Sequence, residues 1–575
     1  MKTIYITAIC AVMAVGTEAQ DLSKEITIEK DIVPEQLDVT RLSVTPVVSL
    51  PAVSKSKLSF IERNRASEIP AQISTLEPVA YADSLSVSPY RGYAGLGYFP
   101  TYNTALSAGY RFINSENMSL NGWLQYNGKI FDGKSLGGDE MTLRSHTASI
   151  GVDFAQKIES SQLAIAADYT LSRYNVPLYS DYYYQTVNRV NIGAGWTSKV
   201  GEFDYRLRLG YGHFGYGQDG YWVDTHNMSV KPEASAPVRE NRINIGGETG
   251  VSIADNACVG LDLDITILDY NRNNEAVPND VQGGYDLLEA TAPDYGIATL
   301  TPYYLYKTQS IAARVGAKIE FAFNAGKVLH IAPDVRIDWT PTSLFAAYVE
   351  FGGGEHVNTL GSIHDITPYT APIFAYGKSS VPFTLDAGIV IGQWAGAYCT
   401  LFGGYAKAND WLMPNYTKST GFFSPVDIDG WHAGVSVGYN YRDVVDFSVR
   451  YETAPQDYDE GYYLWRDRAK HVLNATLRVT PVKQLDVEVA YELRTKRCIV
   501  DRYFVEYADM SAPFAYYSHY DLDDVDNLSV NALYRFTPAL SAFVRLENIF
   551  DKEWFTPGCT QAQGITGLLG LTYKF

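Results

Sequence analysis

Strict two-residue alternation of apolar and polar side chains recurs from residue 90 to the end of this chain, and few architectures accommodate so many such runs. Val259, Leu261, Leu263, Ile265 and Ile267 are interleaved with Asp262, Asp264 and Thr266. Phe203, Tyr205, Leu207 and Leu209 are interleaved with Asp204, Arg206 and Arg208. Val445, Phe447, Val449 and Tyr451 alternate with Asp446, Ser448, Arg450 and Glu452, and Leu485, Val487, Val489, Tyr491 and Leu493 with Asp486, Glu488, Glu492 and Arg494. A period of two puts each set on one face of a strand. A soluble sandwich alternates as well, with its apolar face inward. The connections decide between the two. Short ones at 113–117, 156–161, 197–202, 340–343, 480–484 and 537–540 take turns with long ones at 130–142, 213–238, 270–296, 354–380, 409–426, 454–468 and 496–522. Short turns on one rim and long loops on the other are the asymmetry of outer-membrane barrels.

On this pattern the fold is all-β, a transmembrane outer-membrane β-barrel of about 22 antiparallel strands preceded by a short irregular periplasmic or lumenal segment. The strands are expected to begin near residues 90, 103, 117, 143, 160, 184, 202, 239, 257, 297, 310, 327, 342, 381, 395, 427, 443, 469, 484, 523, 540 and 565. Composition agrees: 44 Tyr and 47 Gly among 575 residues suit aromatic girdles and crowded strands. The net charge of −19 argues against a nucleic-acid partner and against docking on an anionic membrane surface.

The first residues read as an export signal over 1–19: Lys2, an apolar core over 4–15, and Thr17-Glu18-Ala19 before Gln20. Residues 20–89 carry Pro34, Pro46, Pro51, Pro70, Pro78 and Pro89 and no sustained apolar pattern, and the barrel is expected over 90–575. Two roles are open for 20–89: a reduced plug folded back into the lumen, or a periplasmic segment bound by a partner as an extended strand.

The chain ends in Gly567-Leu568-Leu569-Gly570-Leu571-Thr572-Tyr573-Lys574-Phe575, with Leu569, Leu571, Tyr573 and Phe575 on one side of a strand. An aromatic carboxyl terminus on a lipid-facing closing strand is expected to act as the assembly signal read by the barrel-insertion machinery. Together with Leu546-Glu547-Asn548-Ile549-Phe550-Asp551-Lys552-Glu553-Trp554, this ending resembles the last two strands of TonB-dependent outer-membrane receptors. The resemblance implies a Gram-negative outer-membrane location and passage or uptake of a solute or nutrient. It also implies a lumenal plug and an energy-coupling protein as partner. Glu25-Ile26-Thr27-Ile28-Glu29 has the look of a coupling box, while no plug pattern is recognisable in 20–89. The alternative reading is a non-transporting barrel subunit of a larger complex with outer-membrane lipoproteins.

If apolar positions face lipid, then Asp204, Arg206, Arg208, Asp262, Asp264, Asp446, Arg450, Glu452, Asp486, Glu488, Glu492 and Arg494 face the lumen. A charge on the lipid face at the bilayer midplane costs about 2–4 kcal/mol. Both signs occur, so an ion-paired lining is the expectation for each. Cys498 and Cys559 fall in or beside long loops and could pair in an oxidising setting. Glu355, His356 and His364 share the 354–380 loop, but their spacing is not that of a metal site, and they are read as solvated. Asp521, Asp523, Asp524 and Asp526, with Glu506 and Asp509, are likewise read as a solvated acidic loop. Tyr458, Tyr462, Tyr463, Trp465, Tyr516, Tyr517 and Tyr520 are read as girdle or loop aromatics. No nucleophile, phosphate-loop or nucleotide motif has a convincing context, so neither a cofactor nor catalysis is expected.

Overall fold

The structure, a computed structural model, describes residues 90–575 except 136–137, 176–183, 202, 218–221, 225–228, 232–238, 272–293, 370–376, 418–419, 443, 455–468, 506–513 and 557–559. The signal, the segment 20–89 and the coupling-box candidate Glu25–Glu29 lie outside the described residues.

One antiparallel sheet closes on itself. Its first strands are β1 (Gly92–Phe99), β2 (Asn103–Asn114), β3 (Met118–Lys134), β4 (Glu140–Ile158), β5 (Ser161–Asn175), β6 (Tyr184–Val200) and β7 (Phe203–Tyr216). Then come β8 (Arg239–Ala254), β9 (Ala257–Asn271), β10 (Tyr295–Lys307), β11 (Ile311–Phe323), β12 (Leu329–Thr342), β13 (Phe345–His356) and β14 (Ser379–Trp394). β15 (Ala397–Thr417), β16 (Thr420–Tyr441), β17 (Val445–Thr453), β18 (Ala469–Val482) and β19 (Leu485–Val505) follow. β20 is one strand in two pieces, Phe514–Leu522 and Val525–Arg535, because both pair with β19, one above the other. β21 (Leu540–Glu547) and β22 (Thr566–Lys574) complete a ring of 22. β22 pairs with β1 from Tyr93↔Lys574 to Tyr98↔Leu569. No exposed edge remains along the wall, which a strand pair in hydrocarbon requires.

The expected strands all exist, and most begin within a few residues of the expected position. The large differences lie at the long-loop rim. β16 starts at Thr420, not near 427, and the β15–β16 hairpin runs as paired backbone almost to its tip. The connection expected over 496–522 is largely the upper part of β19 and β20. A span of about 9–11 residues crosses the hydrocarbon, so β15 with 21 residues and β16 with 22 stand well beyond it. Out there, side chains no longer need to alternate between lipid and lumen, so the sequence pattern fades while the backbone ladder continues. On the opposite rim the turns are tight. Between Trp394 and Ala397, Ala395 and Gly396 both take positive φ (52° and 93°), as a two-residue type I′ hairpin turn demands.

The wall's two faces follow from register. Leu207, Leu209, Ile243, Ile331 and Leu401 belong to the exposed apolar set, on the convex, lipid-facing side. Their alternates carry the charges. The inner face also explains the placement of several Gly and aromatic residues. Gly109, Gly151, Gly388, Gly434 and Gly438 sit directly opposite Tyr93, Trp123, Tyr348, Phe402 and Tyr398 on the neighbouring strand. A Cβ on these glycines would stand 2.2–2.5 Å from the facing ring. The aromatic rings therefore lie flat across glycines on the inner wall, in addition to whatever girdle role the other tyrosines serve.

Candidate functional site

The connection between β13 and β14 turns inward. Its described part, residues 357–369, contains the one helix among the described residues, α1 (Leu360–Ile366). Such a short helix needs help at its ends. Thr359 Oγ1 accepts from Ser362 N at 2.9 Å, and Ser362 Oγ accepts from Thr359 N at 3.0 Å, a reciprocal capping box. Glu240 Oε2, reaching in from β8, accepts from Leu360 N at 2.7 Å.

Two separate stretches of the wall grip this arm. On one side Leu360 packs into a cluster of Tyr174, Val187, Phe214, Tyr216, Leu268, Tyr270, Tyr295 and Ile297, drawn from β5, β6, β7, β9 and β10. On the other side Ile363 packs with Leu412 and Phe423 of β15 and β16. Tyr174 on β5 and Phe423 on β16 stand half-way round the ring from one another. The arm is therefore a bar across the long-loop mouth, touched by both halves of the wall. Arg189 of β6 fixes it electrostatically, its Nη2 donating to Asp365 Oδ1 at 2.7 Å and its Nη1 to Oδ2 at 3.3 Å. Tyr174 Oη donates to the Pro368 carbonyl at 2.6 Å.

His364 points into an aromatic cage, with ring centroids 5.4 Å from Phe214, 5.6 Å from Tyr174 and 6.3 Å from Tyr216. Both its ring nitrogens are buried without a hydrogen-bond partner, and Asp365 Oδ1 lies 3.8 Å from Nδ1. Burial pushes the imidazole below its usual range. Burial acts to raise Asp365, but neighbouring His364 and Arg189 outweigh it and hold the carboxyl below its ordinary value. Burial raises Tyr369.

The sequence candidates fall in several places. Arg206 pairs with Glu248 at 2.9 Å, Arg208 with Asp262 at 3.3 Å, and Asp204 with Lys199 at 3.4 Å. Asp264 accepts from Thr266 Oγ1 at 3.5 Å, and Asp446 accepts from Asn440 Nδ2 at 3.2 Å. Arg450 contacts Glu452 at 3.2 Å while lying 3.8 Å over the Phe402 ring. Arg494 pairs with Glu492, Arg478 with Glu488, and Arg535 with Asp486. All twelve lie on the face opposite the apolar belt. Leu569, Leu571, Tyr573 and Phe575 are exposed on the convex face, and the Phe575 ring packs against Tyr110 and Tyr573.

The reading of Glu355 and His364 as solvated loop residues is corrected, while His356 is exposed. The Glu355 side chain is 1% exposed and that of His364 12%, because the arm folds inward. His356 goes elsewhere, tilted on Trp411 at 4.9 Å, so the three do not converge. Glu355 meets instead Glu320 and His330, which sequence reasoning missed. Asp524 Oδ1 accepts from Lys496 N at 3.1 Å and the Asp523 carbonyl accepts from Arg497. Asp521, Asp523 and Asp524 are exposed, as the solvated reading has it, but they stand at the break in β20 and not in a loop, and Asp521 and Asp526 pair with Cys498 and Leu493 in the ladder. Glu506, Asp509, Cys559, Tyr458, Tyr462, Tyr463 and Trp465 lie outside the described residues, as do the side chains of Cys498, Tyr516, Tyr517 and Tyr520.

No protein-family model matches the chain, and no curated protein matches it. Solved structures do. The siderophore receptor PirA from Acinetobacter baumannii superposes with a TM-score of 0.64 at 11% identity, covering 84% of this chain and 80% of its own. A mutant of the ferric enterobactin receptor PfeA from Pseudomonas aeruginosa gives 0.62 at 11% identity, covering 84% and 80%. The wall has the fold of a TonB-dependent receptor barrel. The FrpB iron transporter from Neisseria meningitidis superposes on this barrel with a TM-score of 0.60 at 10% identity, covering 84% and 81%. With its closed wall and apolar belt, the chain forms an outer-membrane barrel.

Proposed function

We propose that this barrel takes up a bulky polar solute across the outer membrane, and that the bar formed by residues 357–369 sets what enters. The observation that supports this is the bar itself. A ring of 22 strands encloses a lumen wide enough to need filling, and the bar crosses its outer mouth above a wall lined with paired charges. A lining that carries paired charges suits a hydrated ligand. The receptors of like fold are described as siderophore, ferric enterobactin and iron transport proteins, and we infer a ligand of that size class here.

The test is conductance of the purified full-length protein in planar bilayers, beside a variant carrying Leu360→Asp and Ile363→Asp and a further variant lacking residues 20–89. Charges at 360 and 363 cannot stay in either apolar seat, so the bar leaves the mouth. The expected result is a larger unit conductance on release of the bar, most visible without 20–89. A barrel that stays closed to ions with the bar released and 20–89 removed is not a conduit.

A further inference from the structure

We propose that Glu320, His330 and Glu355 form a binding site for one divalent transition-metal ion of the Zn²⁺ class at the root of the bar. The three residues come from β11, β12 and β13. Glu320 and His330 face each other directly in the β11–β12 register. His330 Nδ1 lies 2.8 Å from Glu320 Oε2 and 3.8 Å from Glu355 Oε1. One donor atom from each residue falls within 4.8 Å of the other two. Donors held at about 2.0–2.2 Å from a shared ion stand roughly 3.3 Å apart, so a small adjustment, Glu320 opening from His330 and Glu355 closing on it, converts the cluster into a three-ligand set.

The backbone is arranged to bring these groups together. Gly354 takes φ 135°, a conformation that favours glycine, and a Cβ there would stand 3.0 Å from Glu320 Oε1. This close approach lets Glu355 N donate to both Glu320 oxygens, at 3.0 and 2.9 Å. The side chains of Glu320, His330 and Glu355 are 4%, 11% and 1% exposed.

Charge is what points to a cation. Two carboxylates are buried together, and the ammonium against them is Lys378, 2.8 Å from Glu355 Oε1. Lys318 is directed elsewhere, to the Gly353 carbonyl at 2.7 Å. Glu355 Oε2 is buried with no hydrogen-bond partner, an expensive state for a carboxylate oxygen. Two carboxylates against one ammonium make a buried site that a cation suits. An imidazole and two carboxylates, with room for water as a further ligand, suit Zn²⁺ and its first-row neighbours. Calcium takes six to eight oxygens and does not suit the imidazole.

Lys378 immediately precedes β14 and Glu355 is the next-to-last residue of β13, so the site sits where the connection carrying the bar leaves and rejoins the wall. An ion there displaces the Lys378 ammonium and ties the outgoing strand to β11 and β12. The site stands whether or not the barrel conducts, because its readout is metal binding.

The experiment uses full-length protein in detergent, stripped with a chelator and titrated with Zn²⁺ against a chromophoric competitor. Co²⁺ is the spectroscopic probe. Folding of each variant is checked by its heat-modifiable migration. We expect one ion per chain and weaker binding at lower pH, since the imidazole must lose its proton. His330→Gln and Glu355→Gln should each lower affinity at least about tenfold, and abolish the Co²⁺ ligand-field bands. Lys378→Met, which removes the competing cation, should bind more tightly. The proposal is overturned by folded wild-type protein that shows no saturable binding, by undiminished binding in H330Q/E355Q, or by weaker binding in K378M.

Discussion

Arg189 meets Asp365 with two nitrogens, yet the two side chains are 31% and 52% exposed, and solvent screens such a pair to about 0–1 kcal/mol. The bar must therefore be held mainly by Leu360 and Ile363, both 2% exposed. Removing a buried Leu or Ile side chain to Ala costs about 2–5 kcal/mol where the site cannot collapse. We expect Ile363→Ala to raise protease sensitivity within 357–369 far more than Arg189→Ala, with the barrel's heat-modifiable migration unchanged in both. Acid should act through His364, faced by Tyr174, Tyr216, Arg189 and Asp365. Its docked pKa is lowered, so the undocked arm binds protons more readily. Docking is then complete above the ordinary histidine pKa of about 6.5 and weakens as pH falls below it. Asp365, also lowered, adds loss in the same direction at still lower pH. Proteolysis of the bar compared at neutral and mildly acid pH tests this, and His364→Phe should flatten the difference. None of this was legible in residues 354–380 alone: the spacing of Glu355, His356 and His364 says nothing about a loop folding inward. Glu320 and His330 were closer to reach, because strands expected to begin near 310 and 327 form a hairpin whose register makes them neighbours.

Within the strands, alternation carried most of the information, since each side chain in hydrocarbon is forced to one face or the other. The information fails where that constraint ends. Pro414, Gly421 and Pro425 made 409–426 look like a loop, yet Leu412↔Pro425 and Met413↔Ser424 continue the ladder above the membrane. The glycine–aromatic pairs are a second feature hidden from a single strand, because each is read only across a register. Gly438 shows the cost of disturbing one: a Cβ there would lie 2.2 Å from the Tyr398 ring. Gly438→Ala should destabilise the barrel by about 1–3 kcal/mol, seen as a lower temperature for loss of heat-modifiable migration. Adding Tyr398→Ala should restore part of that loss, the coupling expected of residues in contact.

At the level of the whole molecule, closure depends on a few groups from both ends of the wall. The Phe575 carbonyl accepts from Arg91 N and Gly92 N at 2.8 Å each, and Phe575 N donates to the Gly92 carbonyl at 2.9 Å. The aromatic ring covers Gly92, where a Cβ would meet it at 2.6 Å. Deleting Phe575 should therefore lower the fraction of protein that reaches the folded, heat-modifiable form, and Phe575→Ala should do so less, because it keeps the backbone bonds. Fold class was the most legible property of this chain, since it follows from many weak, repeated constraints. The bar was the least legible, since it depends on where one loop meets walls far away in sequence.

A closed sheet resists stretching along its hydrogen bonds but flattens easily, as a hoop does. The bar acts at that soft mode. By seating Leu360 against β5–β10 and Ile363 against β15 and β16, it ties together two stretches of the rim that are not neighbours in the sheet. Ovalising the rim would open one of the two seats, so a load applied to one stretch of the rim is felt directly at the other.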